Sequence, residues 1–292
     1  MNNKQAILIT AYQEFVRVVE ICKIFQHPQF VIYIHIDKKS FVPAEIKQKL
    51  SSFSNVILLD NRWKTNWGGL NLSKAILQMM IECLKDEDVF YSHVIDESSF
   101  PIKNIEHFIY YVGKHKNNQM IDIYQSSNNW EMHRRMNYYH FCDIFNLKKR
   151  YQKTIYHYIL KIQYAINIRR KKASFDLYKG ESTFSLNRDC MDYVIKYIHS
   201  HPKFISRFKY TFAADEEIFA SIVANSPFRN SIIDNHRYID WNGFRNGNIP
   251  AILDESDYEN IKESTALFAR KFRNQHSLSL QNKIFDSLLK IF

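Results

Sequence analysis

Three carboxylates stand in a row at Asp215-Glu216-Glu217, between an aromatic, strand-like run (Tyr210-Thr211-Phe212) and an apolar, helix-like run that starts at Ile218. Two separated cations follow. They are Arg237, in His236-Arg237-Tyr238-Ile239-Asp240-Trp241, and Lys271, in Leu267-Phe268-Ala269-Arg270-Lys271-Phe272. A carboxylate that takes a proton from a nucleophile, with cations that absorb the charge of a leaving anion, suits group transfer from a nucleotide-activated donor. Plainer roles fit the same residues. Glu216 could be a helix N-terminal carboxylate with Asp215 as its cap, Glu217 a solvated neighbour, and Arg237 and Lys271 surface charge.

Chemistry at such distant positions needs a scaffold, and the first half of the chain spells one out. Ala6–Thr10, Phe30–Asp37, Val56–Leu59 and Val89–Ile95 are short runs rich in β-branched and aromatic residues, which predicts strands. Between them Phe15–Phe25, Ile46–Phe53 and Leu72–Leu84 carry apolar residues at helical spacing, the last opened by Asn71 or Ser73. This alternation predicts β-α-β units: an α/β fold with a mostly parallel sheet flanked by helices. Ligands of such sheets bind beyond the carboxyl ends of the strands, which puts Asp37 and Asp96-Glu97-Ser98-Ser99 at the edge of a site. Asp37 suits a strand-end turn equally well. Asp86-Glu87-Asp88 mimics a D-x-D metal motif but precedes its strand, and reads as a polar loop at the wrong edge. His35 alternates with apolar residues and reads as packed, not as a ligand.

From Arg134 to Lys172 the pattern changes. Lys and Arg recur against the single acid Asp143, interleaved with Ile155, Tyr158, Ile159, Ile162 and Ile166. One or two basic amphipathic helices are expected there, as an insertion over about 130–175. Phe184–Leu186 returns to strand, and Met191–Ile198 and Glu217–Val223 to helix. Leu280, Ile284, Leu288 and Ile291 define a C-terminal amphipathic helix over about 277–292. The whole of 1–292 is expected to form a single domain.

Composition narrows the classes further. With 292 residues, 46% of them hydrophobic, the chain can bury a full core and excludes long disorder. The formal charge of +10 points to phosphate-bearing partners: a nucleotide, a nucleic acid or an anionic membrane face. Cys22, Cys83, Cys142 and Cys190 form no CxxC pair and read as buried free thiols. No signal-peptide pattern and no apolar run near the ~20 residues of a membrane span are present, so the expected location is the cytoplasm. There is no Gly-rich phosphate loop.

Six motifs appear in order: Ile34-His35-Ile36-Asp37-Lys38-Lys39-Ser40, Asn66-Trp67-Gly68-Gly69, Phe100-Pro101-Ile102-Lys103, Gly180 with Phe184-Ser185-Leu186, Asp215-Glu216, and Phe268-Ala269-Arg270-Lys271-Phe272. The series resembles the core-2/I-branching β-1,6-N-acetylglucosaminyltransferase family, which also holds peptide O-xylosyltransferases, and is most like its short bacterial-type members. The resemblance implies a GT-A-like, Rossmann-related fold, a UDP-sugar donor, and inversion at the anomeric carbon without a divalent metal or other cofactor. It makes Glu216 the catalytic base. It assigns Arg237 and Lys271 to the donor diphosphate, and Asp37 to the nucleoside. Two loops depart from the family pattern. Asp96-Glu97-Ser98-Ser99 stands where S-G-x-D is usual, and Glu181-Ser182-Thr183 where Ser and an aromatic are usual. Asp96, Glu97, Glu181 and Asp215 are therefore candidate donor-sugar or acceptor contacts.

The expected reaction is transfer of a sugar, GlcNAc first, from UDP to a glycan or lipid-linked glycan, in bacterial surface polysaccharide or lipooligosaccharide synthesis. Alternatives are a metal-dependent transferase using UDP-xylose, UDP-glucose or UDP-galactose, with Asp96 and Glu97 near the ion, or a non-catalytic membrane- or nucleic-acid-binding module. The basic segment fits a solvated helix face, nucleic acid, or peripheral contact with an anionic membrane leaflet, the last preferred over nucleic acid. Arg134 and Arg135 could instead reach an anionic acceptor.

Overall fold

The computed structural model describes residues 3–125, 130–171, 175–242, 244–245 and 249–289. The strands are β1 (Lys4–Ala11), β2 (Phe30–Ile36), β3 (Val56–Leu58), β4 (Val89–Asp96), β5 (Phe100–Pro101), β6 (Gln119–Met120), β7 (Tyr124–Gln125), β8 (Tyr178–Lys179), β9 (Phe184–Asn187), β10 (Ile232–Ile233), β11 (Arg237–Ile239) and β12 (Phe268–Arg270). The helices are α1 (Phe15–Ile24), α2 (Ala44–Ser51), α3 (Leu70–Leu84), α4 (Ile105–Lys114), α5 (Trp130–Asn137), α6 (Arg150–Ala165), α7 (Arg188–Ser200), α8 (Pro202–Arg207), α9 (Ile218–Ala224), α10 (Tyr258–Glu263) and α11 (Asn274–Ile284).

Seven strands form the main sheet in the order β10-β6-β9-β4-β1-β2-β3. β1 runs parallel to β2 and β4, and β2 to β3, while β9 is antiparallel to both β4 and β6. A smaller sheet, β11-β12-β5, flanks it. β2 is buried along its whole length, as a strand covered on both faces must be. Along β1 the period of two sorts side chains between two cores. Ile7 and Ile9 join Val18, Phe108, Phe268 and Leu280 on one side; Ala6 and Leu8 join Met79, Met191, Phe208 and Phe219 on the other. The mostly parallel α/β sheet flanked by helices is thus as expected, and the four cysteines are buried and free.

The expected opening of α3 is corrected. Ser73 is buried with its hydroxyl unpartnered among the described residues, and Asn71 lies inside the helix. The cap comes from Asp143, whose two oxygens accept the N–H groups of Leu70 (3.1 Å) and Asn71 (3.2 Å). The one acid of the basic segment thereby pins the insertion to the sheet domain, where a carboxylate meets the positive helix end. Where one or two helices were expected, over about 130–175, α5 and α6 are found; residues 172–174 lie outside the described residues. At the C-terminus α11 buries Leu280 and Ile284 and stops at Ile284, giving way to a π-helical turn over Phe285–Leu289. The expected Ile291 lies outside the described residues.

Candidate active site

The carboxyl ends of β1, β2 and β4 share one edge of the sheet, so the loops that follow them meet there. Arg17 of α1 ties two of these regions together. Fully buried, it donates to the carbonyls of Glu97 and Phe272, each at 3.1 Å, and to Asn274 Oδ1 at 2.7 Å. It holds the segment after β12 against the loop after β4.

The acid segment departs from expectation. Tyr210-Thr211-Phe212 is a turn, not a strand, because Phe212 packs edge-on against Trp67 (4.9 Å between centroids) and the Ala213 N–H donates to the Gly68 carbonyl (2.9 Å). Gly68 itself has φ +76, and a Cβ there would meet the Phe212 ring at 2.8 Å. Ala213 takes a left-handed conformation (φ 57), a strained choice for a non-glycine residue, and starts a 3-10 turn over Ala214–Glu216. Asp215 is therefore not the cap of α9. On the other side, the Gly180 N–H donates to the Glu216 carbonyl at 2.6 Å. A Cβ on Gly180 would stand 2.4 Å from the Asp122 carbonyl oxygen, so only glycine allows this approach.

The three acids have three environments. Glu216 Oε2 lies 2.7 Å from Arg135 Nη1 and 3.7 Å from Lys179 Nζ. Burial, then the neighbouring charge of Glu216, pushes Asp215 up to about 7, against the pull of Arg135 and Arg270. Glu217 is not solvated: it is fully buried, and neither oxygen has a hydrogen-bond partner among the described residues. Burial holds it well above the carboxylate range, although Arg135 and Arg207 are near. Burial without a partner favours the neutral form of such a carboxyl. Across the turn, burial also lifts Glu181 to about 7, with Arg270 opposing and Glu216 adding.

The cations lie on β11 and at the end of β12. Arg237 donates to the Asn235 carbonyl (2.7 Å) and Ser185 Oγ (2.9 Å) and sits 4.8 Å over the Phe268 ring, with no carboxylate within 4 Å among the described residues. Burial lowers its pKa to about 9. Arg270 reaches Asp96 Oδ2 at 2.9 Å and Glu181 Oε2 at 3.7 Å, bridging two of the candidate acids. The Lys271 ammonium has no hydrogen bond or ion pair among the described residues. Burial and then repulsion from Arg270 lower its pKa, with Asp96 opposing and Arg273 and Lys148 adding to the repulsion. Lys148 and Arg273 hold Tyr12 between them, at 3.2 Å and 3.0 Å from its hydroxyl.

The other candidates divide. Asp96 keeps its place at the site edge. Although burial opposes it, Arg270 and the Ser98 hydroxyl and N–H keep its pKa below the usual range. Its oxygens are occupied by those groups and by the Ser99 hydroxyl (3.2 Å). Glu97 as a substrate contact is corrected. Its side chain is buried, and Oε2 accepts the backbone N–H groups of Tyr12 (2.5 Å), Gln13 (2.8 Å) and Glu14 (3.1 Å), which fixes the loop before α1. Asp37 forms the strand-end turn, accepting the Lys39 N–H (2.8 Å) and the Thr65 hydroxyl (2.7 Å). Arg134 bonds the Tyr164 hydroxyl and joins α5 to α6, whereas Arg135 turns to Glu216. His35 is packed, with Nε2 accepting the Trp63 N–H (2.8 Å). Asp86 and Asp88 pair with Lys4 (3.0 and 3.4 Å) at the opposite edge.

Glu216, Arg237 and Lys271 thus belong to one charged neighbourhood joined through Glu181 and Arg270: Glu181 couples to Glu216 and Arg270, and Arg270 to Arg237 and Lys271. Sequence reasoning passed over Arg270, beside Lys271. No local signal separates the two, because Arg270 closes β12 and Lys271 lies just past it. Two surface concavities, one lined by Gln5, Gln29 and Phe90 and another by Arg150, Tyr151 and Ile155, lie elsewhere.

A family model described as "Core-2/I-Branching enzyme" matches residues 6–264, which includes Glu216 and Arg237 and stops short of Lys271. The chain is similar to xylosyltransferase 2 of Canis lupus familiaris, with 23% identity over 228 residues, 75% of this chain and 24% of that protein. It is 23% identical over 284 residues to a xylosyltransferase of Ciona intestinalis, covering 90% of this chain and 31% of that protein. Human xylosyltransferase 1 is 25% identical over 228 residues, 22% of its length. The chain therefore spans 22–31% of the length of these relatives.

Proposed function

The chain belongs to the Core-2/I-branching enzyme family of glycosyltransferases, and from that membership we propose that it moves a sugar from a UDP-sugar to a hydroxyl of a glycan acceptor, with inversion. The observation carrying this reading is the convergence of an acid turn and a cation cluster at the carboxyl edge of the sheet, from segments far apart in the chain. Glu216 is the base. It takes the proton as the acceptor oxygen bonds to the anomeric carbon and the bond from that carbon to the diphosphate oxygen breaks. Arg135 holds the Glu216 carboxylate in orientation, through their 2.7 Å contact. Arg237 and Lys271 neutralise the departing UDP, the work a divalent metal does in other enzymes. Asp37, at the carboxyl end of β2, takes the nucleoside in this reading, and Asp96, Glu181 and Asp215 the sugar or the acceptor.

GlcNAc is the first reading of the donor sugar, in surface polysaccharide or lipooligosaccharide assembly. A second reading, xylose, is favoured by the names of the relatives. The test is transfer from UDP-GlcNAc, UDP-xylose, UDP-glucose and UDP-galactose to a mixed glycan acceptor, with and without EDTA. Turnover of one donor that EDTA leaves unchanged is expected. Loss of turnover with EDTA, restored by manganese, would put a metal at Asp96. Absence of turnover and of thermal stabilisation by UDP, with salt-dependent retention on DNA, would favour a non-catalytic module.

A further inference from the structure

We propose that α6 lies flat on an anionic lipid bilayer and docks the protein there through its outward face. The helix buries Tyr156, Leu160 and Gln163 against the domain. Its opposite face exposes Tyr151 (62%), Ile155 (46%), Tyr158 (62%) and Ile162 (57%). At about 100° per residue these four fall within about 60° of one another, so they form one stripe along the helix. Ile166, the residue that ends the helix, is exposed as well, as are Ile144 and Ile168 in the flanking chain. Scattered exposed apolar residues are ordinary, but a continuous row of them marks a contact face.

The charge around the stripe selects its occupant. Arg150 and Lys161 border it on one side, Lys161 lying over the Tyr158 ring; Lys149 and Arg169 stand just beyond the two ends of the helix, and no acid occurs between residues 144 and 171. A second copy of the chain would bring two such cationic borders together. A nucleic acid would set its phosphates against isoleucine. An anionic bilayer takes the apolar row at its acyl boundary and the cations at its headgroups. No described helix is long and apolar enough to cross a membrane, which leaves contact in the plane of the surface. The same insertion brings Arg135 to Glu216 and Lys148 to Tyr12, so docking would hold the acid turn at a fixed height above the lipid. This inference stands on the exposed face alone and goes beyond the proposed transfer reaction.

The experiment is flotation of the full chain with vesicles of phosphatidylcholine alone and of equal parts phosphatidylcholine and phosphatidylglycerol. The wild type should float with the mixed vesicles, less so at high salt. The double variant Ile155→Asp/Ile162→Asp, at exposed positions, should lose about 100-fold or more in partitioning, as two apolar side chains worth roughly tenfold each are removed. Arg150→Glu/Lys161→Glu should lose binding only to the anionic vesicles, and both variants should keep their transfer activity on a soluble acceptor. Failure of the wild type to float with anionic vesicles would overturn the proposal. So would equal flotation of the isoleucine variant, a dimer that this variant dissolves, or retention on DNA in place of vesicles.

Discussion

Replacing Lys271 by Met should have two effects of opposite sign. The ammonium has no partner among the described residues, and burial followed by repulsion from Arg270 depresses its pKa. A depressed lysine pKa means that the charge itself disfavours the ligand-free fold at neutral pH. Lys271→Met keeps the apolar stem and removes the charge, so the Tm of the free protein should hold or rise. With a diphosphate bound, the same group supplies a charge-assisted hydrogen bond worth roughly 1.5–3 kcal/mol, or about 10- to 150-fold in UDP affinity. Ligand stabilisation then gives a direct assay. At UDP equal to about 100 times the wild-type Kd, the wild type gains about 2.7 kcal/mol, whereas a variant about 100-fold weaker gains only about 0.4 kcal/mol. An unfolding entropy of about 2.1 cal/mol/K per residue turns these into roughly 4 °C and under 1 °C. Thermal melts with and without UDP, with calorimetric titration for Kd, read both effects. An unchanged Kd refutes the diphosphate role. A ligand-free Tm several degrees lower would make Lys271 a structural residue.

Two further predictions test the acids. Because burial raises Glu217 in the fold above its unfolded value of about 4.3, folding takes up a proton as pH rises past that value. Its contribution to stability is thus fully present below about pH 4 and lost as pH rises, so Glu217→Gln should stabilise the protein against urea at pH 8, with the gain vanishing near pH 4. A less stable variant at pH 8 would mean an ionised Glu217 paired with Arg207. Asp143→Ala should cost about 1–2 kcal/mol by uncapping α3, a Tm loss of about 2–3 °C, while Asp143→Asn keeps an acceptor and most of the stability. Equal losses in the two variants would trace the effect to charge and not to the capping bond.

The sheet was legible because its strands are apolar runs cut by helical periodicity, and Phe30–Ile36 or Val89–Asp96 leave few alternatives. Asp37 and Asp96 followed from topology, since a parallel sheet gathers the residues after its strands at one edge. What escaped was tertiary. Nothing local marks Asp143 as the cap of a helix more than seventy residues earlier, or Glu97 as the acceptor for three N–H groups after β1. In the Asp215–Glu217 run, helical periodicity failed because the segment is a 3-10 turn entered through left-handed Ala213, and this sends Glu217 inward. Arg270 and Lys271 look alike as neighbouring cations, and only the partners beneath Arg270 separate a buried bridge from an open charge.

The central claim is that Glu216 removes the acceptor proton, and turnover by Glu216→Gln tests it most directly when UDP affinity is measured on the same sample. A positioned base is worth about 10²- to 10⁴-fold, so transfer should fall by that factor while UDP binds as in the wild type. Undiminished turnover would contradict the account.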